Sequence, residues 1–195
     1  MRLQIIDVRQ AFMLATLLAV PAYATAEEAA PPAAAPAPAA DAPVADPPAA
    51  DLSTEQPLQQ LDWLLGEWTG MTDNATVLVS SEPCEGGAFI ERHFVVKREG
   101  QPDVGGTQRI GWDPVSGRIK CWTFDTLGGF GEGYWYPSGD SWVIESDETL
   151  ADGSQSTTTA ILTPKGEDKF EWQVERARVN GASLPQQTIE FVRAK

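Results

Sequence analysis

Few side chains in this chain are equipped for chemistry, and their spacing narrows what that chemistry is. His93 is the only histidine among 195 residues. A serine triad needs an imidazole beside a nucleophilic hydroxyl and a carboxylate, and no G-x-S-x-G elbow is present. In AFIERHFVVKR, Ile90, Arg92, Phe94 and Val96 alternate with Phe89, Glu91, His93 and Val95. The first set is the more apolar and is expected to face inward. That parity turns His93 outward, a poor place for a general base or haem ligand, and carries Arg92 inside or to a rim. A buried guanidinium needs an acidic or carbonyl partner. Asp125 and Glu132, on either side of a glycine cluster, are the expected partners. Such a group serves either as a structural ion pair or as the anchor for a carboxylate or polar ligand.

That glycine cluster, FDTLGGFGEGYW from Phe124 to Trp135, has some of the look of a phosphate loop. A dinucleotide loop, however, opens a helix whose N-terminus receives the pyrophosphate. Here the glycines lead into YWYPSG, which is β-prone and breaks at Pro137, so the stretch reads as a hairpin. Gly128 and Gly129 are expected to supply positive φ, with Gly131 and Gly133 allowing close approach or strong coiling. The acidic run ESDETLADG, Glu145 to Gly153, lacks the ligand order of a calcium loop and reads as a solvated hairpin. One histidine and two distant cysteines make no zinc site, and no cofactor is implied.

The elements that position these residues begin at Pro57. All seven tryptophans lie beyond it. About ten short segments with period-two alternation follow, separated by loops rich in Gly, Asn, Asp, Ser and Pro. No gap holds a crossover helix, so the sheet must be antiparallel. A meander of that length leaves two bare edges unless it closes. The expected fold is therefore all-β, an up-and-down antiparallel barrel, with a two-sheet sandwich as the competing shape. The one helical signal is PLQQLDWLLGEW, where Leu58, Leu61, Leu64 and Leu65 form an apolar stripe suited to plugging one barrel mouth. Trp112, Trp122, Phe124, Trp135, Trp142 and Trp172 are expected to point inward, filling the core or lining an apolar cavity; an exposed sugar-stacking platform is the third option. Cys84 and Cys121 fall on the second and fifth strands, about 14 Å apart at normal strand spacing. A disulfide between them forms only if a strand end bends inward or the side chains meet across the lumen.

The opening LGEWTG, with Gly66 and Trp68, resembles the G-x-W signature of the calycin superfamily, the lipocalins and fatty-acid-binding proteins. That resemblance implies a basic residue near the last strand packing across the tryptophan, and Arg193 in EFVRAK holds that position. LDWLLGEW, IGWDP and WTFDTLGGFGEGYW resemble more closely a bacterial lipocalin-like domain of unknown function, often found after a SnoaL-like domain. The resemblance spans Leu58 to Lys195 and implies a fold without an established reaction.

Residues 1–24 read as an export signal: Arg2 and Arg9 precede the apolar run Ala11–Val20, and Ala22–Ala24 offers small residues for cleavage. Export to the periplasm or beyond is the expectation, although Asp7 is atypical of such a segment. Residues 25–57, rich in Ala and Pro, cannot bury enough apolar surface to fold and read as a disordered stalk. Net charge is −14, with a pI near 4.3, which argues against nucleic acid as a partner. No integral membrane segment is expected once the signal is removed. The functional expectation is non-catalytic binding of a small, largely apolar molecule inside residues 58–195. The candidate contacts are Arg92, Phe94, Trp112, Trp122, Phe124, Asp125, Glu132 and Trp135. Rival readings are a carbohydrate-stacking or protein-interaction module on a stalk, and a hydrolase or isomerase using rim carboxylates.

Overall fold

The computed structural model describes residues 57–195. The expected export signal and all but the last residue of the expected stalk lie outside it. A 3-10 helix, Pro57–Leu64, leads into the strands. Three residues per turn set Leu58, Leu61 and Leu64 along one edge; Leu61 and Leu64 are fully buried and Leu58 packs against the same core. The strands are β1 (Gly66–Met71), β2 (Thr76–Cys84), β3 (Phe89–Lys97), β4 (Val104–Asp113), β5 (Arg118–Asp125), β6 (Phe130–Ser138), β7 (Ser141–Thr149), β8 (Gln155–Pro164), β9 (Lys169–Val179), β10 (Ala182–Ser183) and β11 (Gln187–Arg193).

Consecutive strands pair antiparallel from β1 to β9; β11 then bridges β9 and β1. Ten strands therefore close an up-and-down barrel, and β10 is a two-residue addition on β9. Closure removes the bare edges that so long a meander would otherwise present. No helix among the described residues is long and apolar enough to cross a membrane.

The closing seam is built on Trp68 and Arg193, which face each other in register. The Arg193 guanidinium lies 4.1 Å from the Trp68 ring centroid. It also donates to three carbonyls: Nη1 to Leu65 O at 2.6 Å, Nε to Glu167 O at 3.0 Å and Nη2 to Trp63 O at 3.4 Å. Trp68 Nε1 donates to Leu64 O at 2.8 Å, tying the 3-10 helix to the first strand. Gly66 is required here twice over. Its φ is +104°, and a Cβ on it would stand 2.6 Å from Arg193 Nη1. Below the seam, Phe170 meets Trp68 edge-on at 4.9 Å and stacks on Phe191 at 4.7 Å.

The interior is mostly filled by side chains, as expected for a small barrel. Inward positions follow simple alternation except on β9, where Thr159 and Ala160 pair with Arg176 and Val174. The extra Glu175 is a bulge. It moves the inward set from Phe170, Trp172 and Val174 to Ala177.

Candidate functional site

One line of inward residues in the barrel is polar. In strand register, Ser81 of β2 faces Arg92 of β3, Arg92 faces Gln108 of β4, and Gln108 faces Thr123 of β5. The line continues through Gly131 of β6 to Glu148 of β7 and Ser156 of β8. It starts near one end of β2 and finishes near the opposite barrel end on β8, so it winds diagonally around the wall. Gly131 makes it continuous: a Cβ there would meet Glu148 Cγ at 2.6 Å and Asp147 O at 2.5 Å.

Arg92 is only 6% exposed. Its Nη1 donates to Gln108 Oε1 at 3.0 Å, and Gln108 Nε2 donates onward to Thr123 Oγ1 at 3.2 Å. Among the described residues no carboxylate pairs with it, and its Nε is buried without a hydrogen-bond partner. Burial pulls the guanidinium down to about 10, which still leaves it charged at neutral pH. Glu148, 8% exposed, stands further along the line. Burial, then the charges of Asp125 and Asp147, push its carboxyl up to about 8, so it is largely protonated at neutral pH. Ser156 pulls weakly the other way, yet neither its Oγ nor Glu148 Oε2 has a hydrogen-bond partner. Ser81 Oγ and Thr158 Oγ1 are orphaned as well. A cavity of about 60 Å³ opens between Arg92, Gln108, Thr123, Glu148 and Thr158 and an apolar wall that includes Val79, Phe94, Leu162, Phe170, Trp172 and Phe191.

Among the residues expected to form a site, Arg92 and Phe94 line this cavity. Trp135 is fully buried in the core and Trp112 packs half-buried against it. Trp122, Phe124 and Glu132 are on the outer face. On β5 the inward residues are Ile119, Cys121 and Thr123, so Trp122 and Phe124 share parity with Arg118 and Lys120 and point out with them. Glu132 follows suit on β6 and pairs with Lys120 at 2.9 Å. It cannot be the partner of Arg92.

Asp125 is not that partner either. Its Oδ1 accepts the N–H groups of Leu127 and Gly129, both at 2.8 Å, and so fastens the β5–β6 turn. The glycine cluster is thus a hairpin, as read from the sequence, with one amendment. Only Gly128 has positive φ, at +101°; Gly129 is instead the position where a Cβ would strike the Asp125 carboxylate.

Both cysteines are free, which excludes the Cys84–Cys121 bridge. Cys121 points inward, whereas Cys84 ends β2 with β3 and β4 standing between them. Burial raises each thiol to about 11, so neither is a thiolate nucleophile at neutral pH. His93 is exposed on the outer face. Within the acidic run Leu150 is buried, and of the acids only Glu148 departs from the expected solvated state, sharing parity with the inward Trp142 and Ile144. The same rule places Gln108 with Ile110 and Thr158 with Ala160. Inspecting the polar members of each inward set would have found all three.

The arrangement can hold a small anionic or hydrogen-bonding group against Arg92 while the apolar wall covers the remainder. Neither a protein-family model nor a curated protein matches this chain.

Proposed function

We propose that the barrel is a non-catalytic binding protein for a compact, largely apolar molecule carrying an anionic head, seated in the lumen with that head on Arg92. The carrying observation is a buried guanidinium with only Gln108 as partner, in a cavity edged by further orphaned polar atoms. Native proteins leave few buried polar groups unpaired, and an anion at Arg92 relieves the largest of these deficits. The volume supports a short head and body; a longer ligand requires the apolar wall to move. The closed barrel and the Trp68–Arg193 seam support a lipocalin-like relationship. The character of residues 1–24 supports export, with the barrel carried on the Ala/Pro-rich segment.

The test is thermal unfolding of the full chain with acetate, butyrate or butylamine. A carboxylate is expected to raise Tm with its concentration, as selective binding to the native state requires. The amine should not, and Arg92→Met should abolish the shift. Equal shifts in Arg92→Met, or none with either carboxylate, would contradict the proposal. One observation favours a hydrolase or isomerase instead: the raised Glu148 carboxyl beside Asp125. Turnover of a bound ester or enolisable carboxylate by the parent, lost in Glu148→Gln while binding is kept, would favour that reading. Binding without turnover in the parent favours the first, since a general acid is needed for turnover and not for occupancy.

A further inference from the structure

The outer face of β5 to β9, most of which carry the polar line within, bears a second arrangement that the lumen does not explain, although Gly131 and Glu148 border it too. Phe124 and Phe130 face each other across β5 and β6 and are 56% and 53% exposed. They border a hollow of about 270 Å³ with Trp122, Glu132, Asp147 and Gln155. A second hollow of about 330 Å³, reaching Tyr134, Thr157, Arg176 and Arg178, shares Glu132 and Asp147 with the first. The two therefore adjoin as one cleft. Strand register orders its chemistry: Phe130 faces Thr149 and then Gln155, while Glu132 faces Asp147, then Thr157, then Arg178.

We infer that this cleft binds a neutral saccharide chain. Ring faces on β5 and β6 offer flat apolar platforms for the C–H face of a sugar. Carboxylates on β6 and β7, hydroxyls and an amide on β7 and β8, and guanidinium groups on β9 supply acceptors and donors for hydroxyls. From β5 to β9 the cleft spans four strand intervals, about 19 Å, enough for several sugar units. Lys120 Nζ lies 5.5 Å from the Trp122 ring and 5.3 Å from Tyr134. Those contacts hold both rings in place before any ligand arrives, reducing the ordering cost of binding. The rings of Phe124 and Phe130 carry no cation and remain open. Charge selects the ligand. Glu132 is already paired with Lys120, so the discriminating charge is Asp147, which stands between the platforms and the β9 guanidinium groups and disfavours an acidic sugar where it must cross.

The test uses the full chain and three probes: β-1,4-linked tetramers of glucose, of N-acetylglucosamine and of galacturonate. Binding is followed by calorimetry, and by the fluorescence that is lost in Trp122→Phe. At least one neutral tetramer is expected to bind saturably and perturb the Trp122 signal. Phe124→Ala with Phe130→Ala should weaken it about tenfold or more. Both rings are exposed, so the double variant is expected to keep the parent Tm. Asp147→Asn, which leaves the platforms intact, should weaken the neutral tetramer and improve galacturonate. Arg92→Met should change none of these affinities, which keeps the cleft distinct from the lumen. Three results would overturn the inference: no saturable binding by either neutral tetramer, unchanged affinity in the double phenylalanine variant, or tighter binding of galacturonate by the parent protein.

Discussion

Two arginines inside one barrel wall meet opposite treatment. Arg193 at the seam donates to the carbonyls of Leu65, Glu167 and Trp63, covers the Trp68 ring and approaches Asp168 Oδ1 at 3.6 Å. Arg92 on the polar line is more deeply buried and has one neutral partner, Gln108. A cation so well supplied with acceptors holds structure together. One supplied with a single acceptor is a local liability, and the proposed anion site rests on that deficit. The contrast teaches that burial of a charge carries no meaning until its partners are counted.

The sharpest way to break the comparison is at the seam. Arg193→Met leaves three carbonyls without their donor and uncovers Trp68; we expect a loss of about 3 kcal/mol in urea unfolding. A loss below about 1 kcal/mol would mean that the seam is held by packing alone. Next in size is Gly131→Ala. The added Cβ must displace Asp147 O or Glu148 Cγ, at a cost of about 2 kcal/mol.

Glu148 gives a pH signature. Its folded carboxyl titrates near 8 against an ordinary 4.5, so the native state keeps a proton that the unfolded chain has released. Its contribution is fully present below pH 4.5, declines as pH rises, and is gone above pH 8. Glu148→Gln removes that slope, so the variant's stability relative to the parent should increase from pH 5 to 8 by the order of a few kcal/mol at most. Parallel pH profiles would contradict the buried, protonated assignment. The smallest effect is expected at Arg92. Because its charge is poorly compensated, Arg92→Met should leave stability within about 1 kcal/mol of the parent, or raise it. A loss comparable to that of Arg193→Met would erase the distinction between the two arginines.

Much of the fold was legible because the relevant forces are local. Turn residues recur at short intervals, strands alternate, and no loop is long enough for a crossover, so antiparallel closure follows almost from chain length. Gly66, Trp68 and Arg193 carried the seam in their identities and order. Arg92 and His93 were placed correctly because β3 has one clearly apolar face. The errors arose where both faces of a strand looked apolar. On β5, Trp122 and Phe124 outweighed Ile119, Cys121 and Thr123 in size, although Lys120 shared their parity and marked the outside. Glu148 was hidden by its neighbours, since a run of acids reads as solvated even when one member falls on the inward beat. The pairing of Arg92 with Gln108 was the harder part: alternation puts Gln108 on the inward beat of β4, but only the register between β3 and β4 sets that uncharged glutamine opposite the arginine.

Nitrogen-edited NMR of the arginine Nε–H groups compares the two side chains in one spectrum. Arg193 Nε–H already donates to Glu167 O, whereas Arg92 Nε–H has no acceptor among the described residues. On titration with acetate or butyrate, the Arg92 resonance should shift saturably while that of Arg193 stays in place. An Arg92 signal that does not move, or moves no further than the Arg193 signal, would contradict an anion-binding lumen.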